Sequence, residues 1–198
     1  LEYAGGILFV AENPSTHLHK VAELYDRIAF CAVGRFSEFE NLRQAGVRLA
    51  DIRGYAYGRE DVTSRSIANA YSQTLGQIFV QEFKPYEVEL CVAEVGVDGA
   101  PNAMYHVVFD GNVFDRKGFL AMGGQSDELN TELQRAYDED MTLDAALQLA
   151  MRVLRQAAPA GETNSGLEVA VLERDRPRRS FRRLTQEDVE SRAGEPAS

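Results

Sequence analysis

Apolar positions recur along this chain in two distinct rhythms. Residues 7–12, I-L-F-V-A-E, form a short apolar run that Asn13-Pro14 ends, as a buried strand should be. Ala4-Gly5-Gly6 ahead of it predicts a tight turn, because glycine takes positive φ without a Cβ clash. A second run, residues 23–33, is rich in β-branched, aromatic and small side chains and is read as the next strand. Gly34 closes it, and Ser37 with Glu40 has the spacing of a capping box that starts a helix. The polar loop between the two runs carries Lys20.

The rhythm then lengthens. Phe36, Phe39 and Leu42 share one side of the helix, which is expected to fade around Gly46 and end before Gly54. A second helix is predicted over 60–83, its buried stripe being Ile67, Ala70, Tyr71, Thr74, Leu75 and Ile78, with Pro85 beyond it as a stop. From Glu87 the period becomes two: Val88, Leu90 and Val92 face one way, Glu89, Cys91 and Ala93 the other. Asp98-Gly99 and Asp110-Gly111 are hairpin-turn signals. Strands are predicted at 104–109, 113–114 and 119–122, ending at Gly123-Gly124. Ser126 is placed as the cap of a helix with the stripe Leu129, Leu133, Ala136 and Tyr137. Thr142 is placed as the cap of another, with Leu143, Ala146, Leu147, Ala150 and Leu154. A small polar loop at 157–166 precedes a strand at 167–172 and its antiparallel partner at 178–184.

The order is therefore ββ-αα-ββββ-αα-ββ. Paired helices and grouped antiparallel strands do not suit a parallel βαβ fold. The continuous apolar runs at 7–11 and 167–172 require strands covered on both faces. An α+β fold meets this: a four-layer αββα sandwich, two antiparallel sheets between helix pairs. Residues 1–184 form a single domain in this reading, and 185–198 an acidic, partly disordered tail containing a short helix that frays.

A chain of 198 residues can bury a sizeable core, and 44% hydrophobic residues is ordinary for a globular protein. The net charge of -10 argues against a general nucleic-acid surface, whose affinity comes from cations neutralising phosphates. No apolar run has the roughly 18 residues that a membrane helix needs. The chain shows no signal-peptide pattern but opens at Leu1 rather than Met, so its natural start is expected upstream. Cys31 and Cys91 sit in apolar strands and fit neither a disulfide framework nor a metal-ligand spacing. A cytoplasmic location with buried thiols follows as the expectation.

Several stretches are familiar in this order: Y-A-G-G-I-L-F-V-A-E-N-P-S from Tyr3, E-L-Y-D-R-I-A-F from Glu23, G-R-F-S-E-F-E-N-L-R from Gly34, R-G-Y-A-Y from Arg53, P-Y-E-V-E-L-C-V-A-E-V from Pro85 and E-V-A-V-L-E-R-D-R-P-R-R-S-F-R-R-L from Glu168. From about residue 3 to 184 the chain resembles the alpha-type subunits of actinobacterial proteasome core particles, of the N-terminal nucleophile hydrolase fold family. The resemblance implies the same αββα sandwich. It implies a homo-heptameric ring capping rings of catalytic beta subunits, gating substrate access and docking a ring-shaped activating ATPase through its C-terminal tails. Such subunits do not cut peptide bonds. The family carries an N-terminal segment and helix ahead of the first strand. This sequence lacks them, so the gate is outside the reading.

Lys20 is the residue on which the readings divide. In catalytic beta-type relatives a carboxylate at one strand end and a lysine at the next strand's start tune an N-terminal threonine. Glu12 and Lys20 hold similar places, but residue 1 is Leu and the first threonine is Thr16, in the loop. A beta-type threonine peptidase whose Thr is missing from this sequence is the alternative. The alpha-type resemblance gives Lys20 another role: it lines a pocket between neighbours in the ring and receives the C-terminal carboxylate of the ATPase tail, with the backbone of Gly34 and Arg35 beside it. A solvated surface lysine is the plain alternative.

The arginines at 174, 176, 178, 179, 182 and 183 form the one basic cluster. With Phe181 as their only interleaved aromatic, they read as a hairpin edge paired to nearby carboxylates or facing a neighbouring subunit, not as a nucleic-acid site. His17, His19 and His106 have no ligand spacing, and neither Gly-Gly pair continues into a phosphate-binding loop. No metal and no cofactor is expected.

Overall fold

Period-two burial and short glycine turns build two sheets in the computed structural model, which describes residues 1–157 and 166–193. Strand β1 (Glu2–Tyr3) turns at Ala4-Gly5 into β2 (Gly6–Glu12). Gly6 takes φ +152° there, and a Cβ on it would sit 1.9 Å from the Leu172 carbonyl oxygen. β3 (Val21–Tyr25) and β4 (Ile28–Gly34) follow, then helices α1 (Phe36–Ala56) and α2 (Ser64–Gln81). β5 (Val88–Glu94), β6 (Ala103–Val108) and β7 (Val113–Arg116) complete a five-stranded sheet in the order β3-β4-β5-β6-β7. Helices α3 (Ser126–Ala136) and α4 (Leu143–Ala157) lead to β8 (Leu167–Glu173) and β9 (Phe181–Arg183), which extend β1-β2 into a four-stranded sheet. α5 (Gln186–Ala193) ends the described chain, with Val189 buried.

Three apolar layers hold these elements in a four-layer αββα sandwich. On one outer face Phe30, Leu90 and Val92 meet Leu42 of α1 and Ile67 and Leu75 of α2. Between the sheets Ile7, Phe9 and Leu172 meet Ala29, Cys91 and Met104. On the other outer face Leu8, Val169 and Val171 meet Ala146 and Leu147 of α4. β2 is thus apolar on both faces, which is why its sequence does not alternate. Cys31 and Cys91 are direct cross-strand partners and both are free thiols.

The structure corrects several local expectations. Residues 23–33 are two strands, because the polar pair Asp26-Arg27 turns the chain; the Arg27 guanidinium holds that turn through Val95 O at 3.0 Å and Gly96 O at 3.1 Å. Ser37 is not a cap: Arg35 stands at the N-cap position of α1 with no side-chain cap bond, and Glu40 pairs with Arg43 instead. α1 does not stop near Gly46 or Gly54. A Cβ would sit 1.9 Å from the Tyr71 hydroxyl at Gly46 and 2.0 Å from the Tyr25 hydroxyl at Gly54, so these glycines admit tyrosine tips rather than break the helix. α2 begins only at Ser64, where the Thr63 hydroxyl accepts from Ser66 N at 3.3 Å, and Arg59–Asp61 is a short 3-10 turn.

Residues 119–122 are not a strand. Asn130 fixes them from α3, accepting from Ala121 N at 2.9 Å and donating to Ala121 O at 3.1 Å. Ser126 is the first helical residue of α3, after an uncapped Gln125, and Ala136 is exposed. Thr142 does cap α4, accepting from Ala145 N at 3.3 Å. β9 spans only Phe181–Arg183, with Arg178 in a turn at φ +67°. Most of the 157–166 loop lies outside the described residues. No helix among those described is long and apolar enough to cross a membrane.

Candidate functional site

The loop between β2 and β3 has no regular hydrogen-bonding ladder, so side chains must fix it. Asn13 starts it, donating from Nδ2 to Leu18 O at 2.6 Å and accepting from Ser15 N at 3.1 Å. The Ser15 hydroxyl accepts from Leu18 N at 3.0 Å. Both ends of the loop meet at Glu168. One of its oxygens accepts from Asn13 Nδ2 at 2.7 Å and from Lys20 N at 2.8 Å. The other accepts from Val21 N at 3.3 Å and from the Arg183 guanidinium, with His19 Nδ1 3.3 Å away. Glu168 is only 7% exposed. Burial alone would push its carboxyl up; the Lys20 N–H, the Asn13 amide and Arg183 outweigh it and hold the carboxyl below the usual carboxylate range.

Lys20 closes the loop. Its backbone carbonyl accepts from Ala32 N at 3.0 Å, which ties it to β4. Its ammonium donates to the main-chain carbonyl of Glu12 at 2.7 Å. That acceptor is uncharged, so the positive charge stays available to an anion. Two residues along β4 from Ala32, Gly34 takes φ +113° and a Cβ on it would lie 1.9 Å from Glu87 O. Arg35 N donates to that same carbonyl at 3.0 Å, and the Arg35 guanidinium pairs with the Glu87 carboxylate at 3.0 Å. Glu38 accepts from Glu87 N at 2.6 Å. The first turn of α1 is therefore held by the segment entering β5, not by a cap of its own.

Glu12, Lys20, Gly34 and Glu87 line one cavity of about 750 Å³, whose other walls are largely apolar and include Phe9, Met104 and Leu129. Lys20 and Gly34 are thus brought together, whereas Arg35 is not part of this wall. At its edge Glu89 accepts from His106 Nε2 at 2.7 Å and from Gly123 N at 3.0 Å. Burial pushes the Glu89 carboxyl up, but these two donors bring it below the usual range. Thr16 stays in the exposed loop with its hydroxyl on His17 Nδ1 at 2.9 Å. Among the described residues no group of three or more His, Cys, Asp or Glu is arranged to hold a metal ion.

The arginine cluster is divided among separate tasks. Arg179 pairs with Glu23, Arg182 with Glu173 and Arg183 with Glu168. Arg174 donates to Ala100 O and Asn102 Oδ1, each at 3.2 Å. Sequence reasoning missed Glu168, Asn13 and Arg183 as the frame of the Lys20 loop. One signal was present: Glu168 shares the period-two face of Ala170 and Leu172, which points between the sheets, and a carboxylate there must be paired.

A family model described as proteasome subunit matches residues 2–172. The proteasome subunit alpha of Saccharomonospora viridis is 50% identical over 198 residues, covering 96% of this chain and 78% of the relative. That of Rhodococcus jostii is 54% identical over 192 residues, covering 93% and 74%. Proteasome subunit alpha 1 of Rhodococcus erythropolis is 52% identical over 206 residues, covering 100% and 80%. The chain belongs to the proteasome subunit family.

Proposed function

We propose that this chain is a non-catalytic alpha-ring subunit of a proteasome core particle working in the cytoplasm. Homo-heptameric alpha rings cap rings of catalytic beta subunits, control access to the chamber and dock the C-terminal tails of a ring ATPase at Lys20, Gly34 and Arg35. The relatives named as alpha subunits support the alpha assignment. Large apolar side chains exposed at the ends of α1 (Ile52, Tyr55, Tyr57) and α2 (Phe79, Val80, Phe83) are surface that a ring subunit would bury against neighbours.

The single observation behind the docking role is the lysine itself. A fixed loop presents the Lys20 ammonium beside an apolar cavity, with an uncharged carbonyl as its partner. An ammonium so held pairs well with a terminal carboxylate. The beta-type alternative has no comparable support, since the relatives reported above are named as alpha subunits. The test is Lys20→Ala in particles assembled with beta subunits. The ratio of ATPase-stimulated to unstimulated peptide cleavage should fall to about one, the loss of a charge-assisted contact at a docking site. An unchanged ratio would overturn the docking role.

A further inference from the structure

The loop that presents Lys20 is bracketed by a single carboxylate. Asn13 at its start and Lys20 at its end both donate to Oε2 of Glu168, and Val21 and Arg183 donate to Oε1. Glu168 itself is fixed, because β8 pairs with β2 in a register that sets it opposite Ala11. Arg183 adds a second clasp by donating to Val21 O at 2.8 Å. A carboxylate offers about four acceptor sites on two oxygens, and here each oxygen serves two donors. Glutamine cannot replace it: either amide orientation turns an NH₂ group toward two donors and leaves their N–H groups orphaned.

We infer that Glu168 is the positioning residue of the tail pocket, holding the loop so that the Lys20 ammonium meets a terminal carboxylate without first being ordered. This rests on the docking reading of Lys20. Preorganisation of this kind adds affinity by lowering the ordering cost at the moment of binding. Glu168 need not touch the tail, so its effect should run through Lys20.

The experiment uses particles assembled with beta subunits and a fluorescent synthetic peptide copied from the tail of the ring ATPase, ending in a free carboxylate. An amidated peptide is the control. Lys20→Ala should abolish discrimination between the two peptides. Glu168→Gln should weaken the free-acid peptide about tenfold, or ~1.4 kcal/mol, and speed hydrogen exchange at the Lys20 and Val21 amides. Adding Lys20→Ala to Glu168→Gln should cost little more than Lys20→Ala alone, whereas a merely structural role would give additive losses. Should Glu168→Gln fail to assemble, Asn13→Ala frees the start of the loop while keeping the carboxylate, and it should weaken the peptide in the same sense. Wild-type affinity in Glu168→Gln or Asn13→Ala, with binding lost in Lys20→Ala, would overturn the positioning role alone. Wild-type affinity in Lys20→Ala would overturn the docking reading and this inference together.

Discussion

Lys20 Nζ lies 2.7 Å from the main-chain carbonyl oxygen of Glu12 and takes that oxygen, not the Glu12 carboxylate, as its acceptor. The pair that a catalytic relative would use to tune a nucleophile is thus built here from a side chain and a backbone group. Glu12→Gln should therefore leave tail-peptide affinity within about a factor of two, since the Glu12 side chain is exposed and such substitutions usually stay within ~0.5 kcal/mol. Titration of the free-acid peptide checks this. A loss as large as that of Lys20→Ala would mean that the carboxylate does hold the ammonium.

Gly34 marks the strand-to-helix turn beside the same cavity. Its φ of +113° and the 1.9 Å approach that a Cβ would make to Glu87 O leave no room for alanine without moving backbone. Gly34→Ala should destabilise the protein by more than ~1 kcal/mol. It should also release the contact between Arg35 N and Glu87 O. Urea unfolding measures the first, and amide exchange at Arg35 the second. A variant as stable as the parent would show that the turn can relax.

Tyr71 offers a sharper test of packing between α1 and α2. Its ring meets Phe30 edge-on, its hydroxyl is buried without a hydrogen-bond partner among the described residues, and burial pushes its pKa up. An unpaired buried hydroxyl carries a desolvation cost of about 1–3 kcal/mol. Tyr71→Phe should therefore be neutral or stabilising in thermal unfolding. Gly46→Ala should be destabilising in the parent, because its Cβ would meet that hydroxyl at 1.9 Å. It should be less so in Tyr71→Phe, where the ring Cζ would still stand 2.8 Å from that Cβ. Equal costs in both backgrounds would contradict the close approach.

Acid should loosen the Lys20 loop through Glu168. Its folded pKa is depressed, the net result of burial opposed by the Lys20 N–H, Asn13 and Arg183. A depressed carboxyl adds stability that is fully present above its unfolded value, about 4.3, and is lost as pH falls through the lower folded value. The Arg183 guanidinium is the charged group facing it, and the titratable His19 ring lies 3.3 Å away. Urea midpoints measured from pH 6 down to about 3 should fall more steeply in the parent than in Glu168→Gln. Parallel slopes would show that the carboxylate is not the group responsible.

Much of the fold was legible where a single periodicity ruled. The alternation over 88–93 put Leu90 and Val92 on one face and Cys91 and Ala93 on the other; in the structure the first face meets the helices and the second the opposite sheet. Asp98-Gly99 and Asp110-Gly111 declared their turns, and the glycines take φ +83° and +90°. The errors arose where a distant group replaced a local one. Ser37 and Glu40 have the spacing of a cap, yet the start of α1 is held by Glu87 across the chain. Gly46 and Gly54 resemble helix breakers until the tyrosine hydroxyls they admit are known. Lys20 was visible from the resemblance, but the frame around it was not. Glu168 and Asn13 are 155 residues apart, and only sheet pairing brings them together.

The central claim is that this chain supplies shape and contact while another subunit makes the attack. The most direct measurement is covalent labelling of the particle, assembled with a catalytic beta partner, by a threonine-directed inhibitor, read by intact mass. The account predicts label on the beta chain, loss of peptide cleavage and no mass added to this chain. Label on this chain, with peptide hydrolysis by the chain alone that the inhibitor stops, would contradict it.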